Sequence, residues 1–104
     1  MLVLMGALTI AMAAPAQADP DTDFSNQLHT YGIYGPKDYN AWIGKIMCKR
    51  LRNGTDANAA ASATFLHLNL PKGTDTEATY QFLAAGITTY CPDQQQVLAS
   101  AAGT

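Results

Sequence analysis

Charged side chains are scarce in this sequence. Asp, Glu, Lys and Arg together make up 13% of the 104 residues, whereas they make up roughly 25% of an average globular protein. The formal net charge is −2, so the chain as a whole has no positive field that would attract nucleic acid. A chain of this length is enough for one domain and not for two. We therefore expect a single domain that does not bind nucleic acid.

Catalytic motifs are missing as well. None of the three serines, at positions 25, 62 and 100, lies in a nucleophile context such as Gly-x-Ser-x-Gly. No pair of carboxylates lies in an apolar setting, and most acidic residues have a simpler role as helix caps. The sequence therefore predicts a protein that is not an enzyme.

The chain also has too few clustered ligands for a metal or haem site. A structural zinc ion needs four ligands, and the candidates besides the two cysteines are His29 and His67. A histidine together with Met47 could ligate haem iron in principle. No Cys-x-x-Cys-His motif accompanies these residues, so we expect two ordinary histidines, no metal and no cofactor.

No Lys or Arg precedes the apolar run at the start of the chain, and that run is short. Residues 1–14 are almost wholly apolar, and Pro15 interrupts any helix. Ala16, Gln17 and Ala18 then form a small-x-small cleavage site of the secretory type. The run is shorter than the roughly 20 residues of a membrane-spanning helix. We predict that residues 1–18 are a signal peptide, rather than an uncleaved anchor, and that the mature chain is secreted or extracytoplasmic without a transmembrane anchor.

The two cysteines, Cys48 and Cys91, are far apart in the sequence. In an exported protein an even number of cysteines indicates a disulfide, and this one would close a loop of about 44 residues and contribute roughly 4 kcal/mol. A redox-active pair or a zinc site are the alternatives, although a redox pair is usually Cys-x-x-Cys. Gly44, one turn before Cys48, is expected to let a neighbouring backbone approach.

Four helices are predicted after the signal peptide, over residues 22–31, 38–52, 56–68 and 75–90. Each begins at or just after an aspartate that can cap its first turn, and these caps are Asp21, Asp38, Asp56 and Asp75. Each is followed by a turn that contains glycine or proline. No segment alternates between apolar and polar residues as a strand would. The predicted fold is all-α, a compact bundle of about four short helices over residues 19–93, followed by a flexible tail or a short extra turn of helix over residues 94–104.

All four helices carry apolar residues at helical spacing, and those of the first and fourth are Phe24, Leu28 and Tyr31, and Tyr80, Leu83, Ala84, Ile87 and Cys91. The stripe of the second helix consists of Tyr39, Trp42, Ile43, Ile46, Met47 and Leu51. The stripe of the third consists of Ala57, Ala60, Ala61, Thr64, Phe65 and Leu68. We expect both stripes to face the core.

A set of positions along the chain resembles a known family. They are Asp23-Phe24, Leu28, Gly32-Ile33, Asp38, Gly44, Cys48, Leu51, Phe82, Ala85 and Tyr90-Cys91-Pro92. The chain resembles over residues 22–92 a family of small exported actinobacterial proteins, best known from mycobacteria and catalogued as domain of unknown function 732. The resemblance implies an exported, all-helical, disulfide-linked domain, and it implies no activity and no catalytic residue. The chain departs from the family pattern around residues 53–75.

Aromatic residues are concentrated around the start of the second helix. Tyr31, Tyr34, Tyr39 and Trp42 lie within twelve positions of one another. Such a cluster is most often part of the core of a small domain, and the alternatives are a small apolar pocket or an interface.

Basic residues are concentrated in the same region. Five of the six lie between positions 37 and 52, with Asp38 as the single acid, so this segment carries a net charge of +4 and the rest of the chain −6. A solvated helix face, with basic residues at the negative helix end, is the simplest interpretation. The alternative is a surface for an anionic partner.

Together these patterns predict an exported, non-enzymatic binding module that acts in or beyond the cell envelope. Its predicted surface consists of Lys45, Lys49, Arg50, Arg52, Trp42, Tyr39 and Tyr34. The expected partner is an envelope protein or an anionic envelope component. The alternative is a carrier that holds a small apolar ligand, a lipid or haem, between the helices near Trp42.

Overall fold

The computed structural model describes residues 19–102, and the predicted signal peptide lies outside this range. The described part contains no strand, and it folds into five α-helices and one short 3-10 helix. The helices are α1 (Pro20–Thr30), α2 (Lys37–Arg52), α3 (Ala59–Asn69), α4 (Thr76–Tyr90) and α5 (Gln95–Ala102), with the 3-10 helix at Pro92–Gln94 between α4 and α5. The prediction of an all-α fold is confirmed.

Helices α1 and α4 begin at aspartate caps. The Asp75 carboxylate accepts a hydrogen bond from the Ala78 amide at 2.7 Å, as predicted for α4. The cap of α1 is Asp19, which accepts from the Thr22 amide at 3.0 Å. The sequence pointed to Asp21, two residues later. Asp21 instead lies in the first turn, where its negative charge also complements the helix dipole.

The starts of α2 and α3 differ from the prediction. Helix α2 follows Pro36 without a side-chain cap, and Asp38 lies in its first turn. Helix α3 is capped by Asn58, whose side-chain oxygen accepts from the Ala61 amide at 2.9 Å. Asp56 is not a cap, because its carboxylate is buried in an ion pair.

The core lies where α1, α2 and α4 meet. Phe24 of α1 makes edge-to-face contacts with Phe82 and Tyr90 of α4, with ring centroids 5.1 and 5.2 Å apart. A disulfide joins Cys48 of α2 to Cys91 at the end of α4, and both cysteines are buried. The predicted pairing is confirmed, and it links the two helices that share the largest part of the core.

Gly44 has a different neighbour from the one predicted. A Cβ atom at this position would lie 3.1 Å from a ring carbon of Tyr90 and 3.4 Å from one of Phe24. The glycine therefore makes room for two aromatic side chains, not for a neighbouring backbone.

Helix α3 is turned relative to its predicted stripe. Its buried residues are Ala59, Ser62, Ala63 and Leu66, and Leu68 of the predicted stripe is 78% exposed. The helix carries no Asp, Glu, Lys or Arg, so its sequence has no polar face that would define the buried side. The orientation follows instead from Ser62, whose hydroxyl donates to buried Asp56 at 3.0 Å.

The C-terminal segment is more ordered than the flexible tail predicted for residues 94–104. After the 3-10 turn the chain forms two turns of helix, α5, which extend the predicted alternative of a short extra turn. Val97 and Leu98 pack against the core, and this apolar contact accounts for the order of the helix. None of the helices between residues 19 and 102 combines the length and the hydropathy needed to cross a bilayer.

Candidate binding surface

The outward side of α2 carries most of the predicted binding residues. Trp42, Lys45, Lys49 and Arg52 are all exposed, and their spacing of three, four and three residues places them along one face of the helix. We call this set of four residues the α2 outer face. The helix buries Ile43, Met47 and Leu51 on its other side.

The aromatic cluster is not part of the core. Trp42 is 56% exposed, Tyr34 61% and Tyr39 39%, so the interpretation of these three residues as core is wrong. Tyr31 alone among the four is half-buried and packs against the core. Helix α2 buries the side that carries Ile43 and Met47, and Trp42 lies outside that side.

The exposed residues Tyr39 and Tyr34 contact different parts of the molecule. The Tyr39 hydroxyl donates a hydrogen bond to the Asn69 carbonyl at 3.2 Å, and the ring centroids of Tyr39 and Trp42 are 6.0 Å apart. Tyr34 stacks on His29, with ring centroids 4.9 Å apart. The structure thus joins Tyr39 and Trp42 in one pair, while Tyr34 contacts the end of α1.

Arg50 is occupied by a structural role. Its guanidinium donates two hydrogen bonds to the Asp56 carboxylate, both 2.9 Å long, and lies 4.4 Å from the centre of the Phe65 ring. The Asp56 side chain is only 3% exposed. Hydrogen bonding to Asp56 raises the pKa of Arg50. This residue therefore connects α2 to the loop before α3 and to Phe65 of α3, and its charge is paired with Asp56.

Arg52 is also paired. It donates two hydrogen bonds to Asp93, 2.6 and 3.0 Å long, and a third to the Tyr90 carbonyl at 3.4 Å. Hydrogen bonding from Arg52 holds the pKa of Asp93 well below its ordinary value. The side chains of both partners are about half exposed, so the pair contributes little to stability, yet it neutralises the charge of Arg52.

Lys45 closes a third contact, between α2 and the start of α1. Its ammonium group lies 3.2 Å from Asp21 and 5.4 Å from the centre of the Tyr90 ring. The Tyr90 hydroxyl donates a hydrogen bond to the same carboxylate at 2.6 Å. Asp21 thus joins three helices.

The positive charge predicted for this segment is largely compensated. Three of its five basic residues pair with aspartates from other parts of the chain. Lys49 is exposed and makes no ion pair with any residue between 19 and 102. Of the four basic residues predicted for binding, Lys49 alone has its charge available. The sequence could not reveal this, because the partners Asp21 and Asp93 lie 24 and 41 positions from their bases.

The Asp21–Tyr90 contact predicts a pH dependence of stability. The hydrogen bond from Tyr90 lowers the pKa of Asp21 below 3.8, so its contribution is present above that value and is lost as the pH falls through the lowered pKa. Burial, and then the hydrogen bond to Asp21, raise the pKa of Tyr90 above 10.0. The contribution of Tyr90 is present below pH 10 and is lost as the pH rises through the raised pKa.

We expect Tyr90→Phe to lower the free energy of unfolding by about 1 kcal/mol at neutral pH. In thermal melts across the pH range, the melting temperature of the variant should fall less steeply than that of the wild type, both above pH 10 and below pH 4. Tyr34→Phe, which removes an exposed hydroxyl, is the control and should follow the wild-type curve. If the melting temperatures of Tyr90→Phe and the wild type changed with pH in parallel, the Asp21–Tyr90 hydrogen bond would not be the source of the pH dependence.

The fold and the surface define a small, disulfide-linked helical domain in which three of the five basic residues of α2 are paired with aspartates. The chain belongs to the family described as a protein of unknown function, DUF732, whose model matches residues 20–93. The resemblance drawn from the sequence is confirmed.

Two curated relatives of the chain are mycobacterial proteins. An uncharacterized protein of Mycobacterium tuberculosis strain CDC 1551 / Oshkosh is 52% identical over 98 residues, which cover 93% of this chain and 88% of the relative. An uncharacterized protein of strain H37Rv matches with the same identity and coverage. No solved structure matches the chain significantly.

Proposed function

We propose that this protein is an extracytoplasmic, non-enzymatic interaction module, and that it binds a protein of the cell envelope through Trp42, Tyr39 and Lys49. The observation that carries the proposal is the exposure of Trp42, which is 56% exposed although it shares its apolar stripe with the buried residues Ile43, Met47 and Leu51. Exposing an indole ring in water forgoes the stabilisation that its burial would bring. Tryptophan and tyrosine are enriched among the residues that dominate binding energy at interfaces.

The contacts around Trp42 suit a binding surface. Tyr39 is held by its hydrogen bond to Asn69 and lies beside the indole, so little side-chain entropy is lost when a partner covers the pair. Lys49 lies seven residues beyond Trp42, which is about 10 Å along the helix. The matching partner surface has an apolar pocket with an acidic side chain about 10 Å away, which we expect to set orientation and association rate more than affinity.

The absence of enzymatic activity is part of the proposal and rests on what the acidic residues do. Asp19 and Asp75 cap helices. Asp21, Asp56 and Asp93 take part in ion pairs. These five carboxylates therefore have structural partners, which leaves few candidates for acid–base chemistry.

The proposed location rests on the disulfide and on the N-terminal sequence pattern. Disulfides form and persist outside the reducing cytosol, and Cys48 and Cys91 form one here. The apolar N-terminus with its small-x-small site is typical of exported proteins.

The test is retention of the purified mature protein on the isolated envelope fraction of its host. We expect Trp42→Ala to weaken retention about tenfold or more. Leu68→Ala, which removes another exposed apolar side chain at 78% exposure, is the matched control and should bind as the wild type does. Both positions are exposed, so the melting temperatures should stay close to the wild-type value. Equal retention of Trp42→Ala and the wild type would refute the proposal that the protein binds through Trp42.

The charge contribution is tested separately by Lys49→Glu, with Lys72→Glu as its control in the α3–α4 turn. We expect the first variant to lose affinity mainly at low salt, because exposed charges are screened at high salt, and the second to lose none. Reversing Lys45 or Arg52 would be less informative, since each change breaks a pair with Asp21 or Asp93. Retention that survives protease treatment of the envelope would point to an anionic polymer and would contradict the proposed protein partner.

A further inference from the structure

A groove lies between the start of α3 and α5, on a different part of the molecule from the α2 outer face. It has a volume of about 810 Å³, within the range of small-molecule sites. Its apolar floor and walls include Leu51, Ala59, Val97 and Leu98. Leu51 and Ala59 are buried beneath it, and α5 forms one wall.

The polar groups of this groove are uncharged, with one exception. Amides and hydroxyls come from Asn58, Tyr80, Gln94, Gln96 and Ser100. The exception is Asp56, whose side chain is 3% exposed. Its carboxylate already accepts three hydrogen bonds, two from Arg50 and one from Ser62. A neutral ligand could therefore form hydrogen bonds with the open amides and hydroxyls without competing for Asp56.

The charges of the lining discriminate between ligand classes. Among the described residues that line the groove, none is a Lys, Arg or His. A bound fatty-acid carboxylate or phosphate would lose its hydration without gaining a counter-charge, which is costly. An uncharged head group avoids this cost.

A second, smaller groove adjoins the first. It has a volume of about 360 Å³ between α3 and α4 and shares Ala60 and Tyr80 with the first. It reaches Leu68, which is 78% exposed. The second groove is lined mostly by the polar residues Thr64, His67, Thr76, Thr79 and Tyr80, whereas the first contains the apolar side chains of Leu51, Val97 and Leu98. The apolar part of a ligand therefore fits the first groove better than the second.

We infer that the groove between α3 and α5 binds a neutral single-chain lipid, with its hydroxyl or ester head near Asn58, Gln96 and Ser100 and its chain over the apolar side chains of Leu51, Val97 and Leu98. The inference moves the carrier hypothesis away from Trp42, which lines neither groove. It does not depend on the proposed envelope interaction, because Trp42, Tyr39 and Lys49 take no part in it.

The test compares two probes with the same chain, 1-monooleoylglycerol and oleate, on the full mature protein below their aggregation concentrations. Amide chemical shifts of the 15N-labelled protein report the site and the affinity. We expect saturable shifts at residues 57–60, 80 and 96–100 with monooleoylglycerol, and affinity for oleate about tenfold lower or weaker. Equal affinity for the two probes would overturn the assignment of a neutral ligand.

Filling the groove supplies the second arm of the experiment. Ala60→Trp and Ala57→Trp each place an indole in the groove from an exposed position, and both should reduce monooleoylglycerol affinity about tenfold or more. Ala99→Trp on α5 is the matched control, because Ala99 is exposed and does not line the groove. Unchanged affinity in a folded Ala60→Trp or Ala57→Trp variant, or no saturable shift in the wild type, would overturn the inference. Loss of envelope retention in Trp42→Ala would leave this result unaffected, so the two proposals fail independently.

Discussion

Replacing Cys48 and Cys91 together by alanine is expected to lower the free energy of unfolding by about 4 kcal/mol. The disulfide closes a loop with a sequence separation of 43 residues, and its loss restores the conformational entropy of that loop to the unfolded chain. For a domain of this size the melting temperature should fall by about 15 to 30 °C. Because the free energy of unfolding of a small domain is only about 5–15 kcal/mol, this loss is a large part of the total stability.

Changing both cysteines together avoids a free thiol in the core, where both side chains are buried. The measurement is urea unfolding of the variant and of the wild type with and without reductant. The reduced wild type is the control, since it loses the cross-link and keeps the sulfur atoms in place. Closely matching midpoints for the oxidised and reduced wild type would show that the cross-link contributes little.

Replacing Arg50 by methionine is expected to cost about 3 kcal/mol. This change leaves the Asp56 carboxylate buried, with the Ser62 hydroxyl as its one remaining side-chain donor. Asp56→Leu should cost less, because the side chain of Arg50 is 34% exposed and can turn its charge towards water. Joining both changes, Arg50→Met with Asp56→Leu, should restore much of the loss, since an apolar pair can replace a buried ion pair.

Urea unfolding of the two single variants and the double variant forms a complete double-mutant cycle. Lys49→Met, one residue away on the exposed face, is the control and should change stability by no more than about 0.5 kcal/mol. A larger loss for Asp56→Leu than for Arg50→Met would be inconsistent with a carboxylate that depends on its arginine. Such a result would move the origin of the stabilisation to Asp56 and the hydrogen bond that it accepts from Ser62.

The helices themselves could be predicted because their signals are local. An aspartate at position 75 caps α4 with its own side chain, and Gly54 ends the turn after α2 with a positive φ of 81°, a conformation that glycine adopts readily. Two cysteines allow one intramolecular pairing, so the disulfide also followed from the sequence. The sequence left residues 94–104 open between a flexible tail and a short extra turn of helix, because they are polar and then small, and the α5 helix is ordered by Val97 and Leu98, which pack on the rest of the domain.

The candidate binding surface could be predicted only in part. Trp42 and Lys49 belong to the predicted surface and both are exposed, although the apolar stripe placed Trp42 towards the core. Arg50 and Arg52 were predicted as surface charges, and the structure pairs them with Asp56 and Asp93. The groove between α3 and α5 had no signal in the sequence, because alanines, amides and hydroxyls lining a cleft resemble those on any helix surface.

The sequence by itself determined the class of the protein: an all-helical domain with one cross-link. Helix caps, turns and hydrogen bonds act over three to five residues, so the order of residues is sufficient to specify them. The tertiary structure alone decided which side of α3 is buried, which cations are neutralised and that the indole of Trp42 is open to a partner. Those outcomes depend on residues such as Asp21 and Tyr90, 69 positions apart, which come together only when the helices pack.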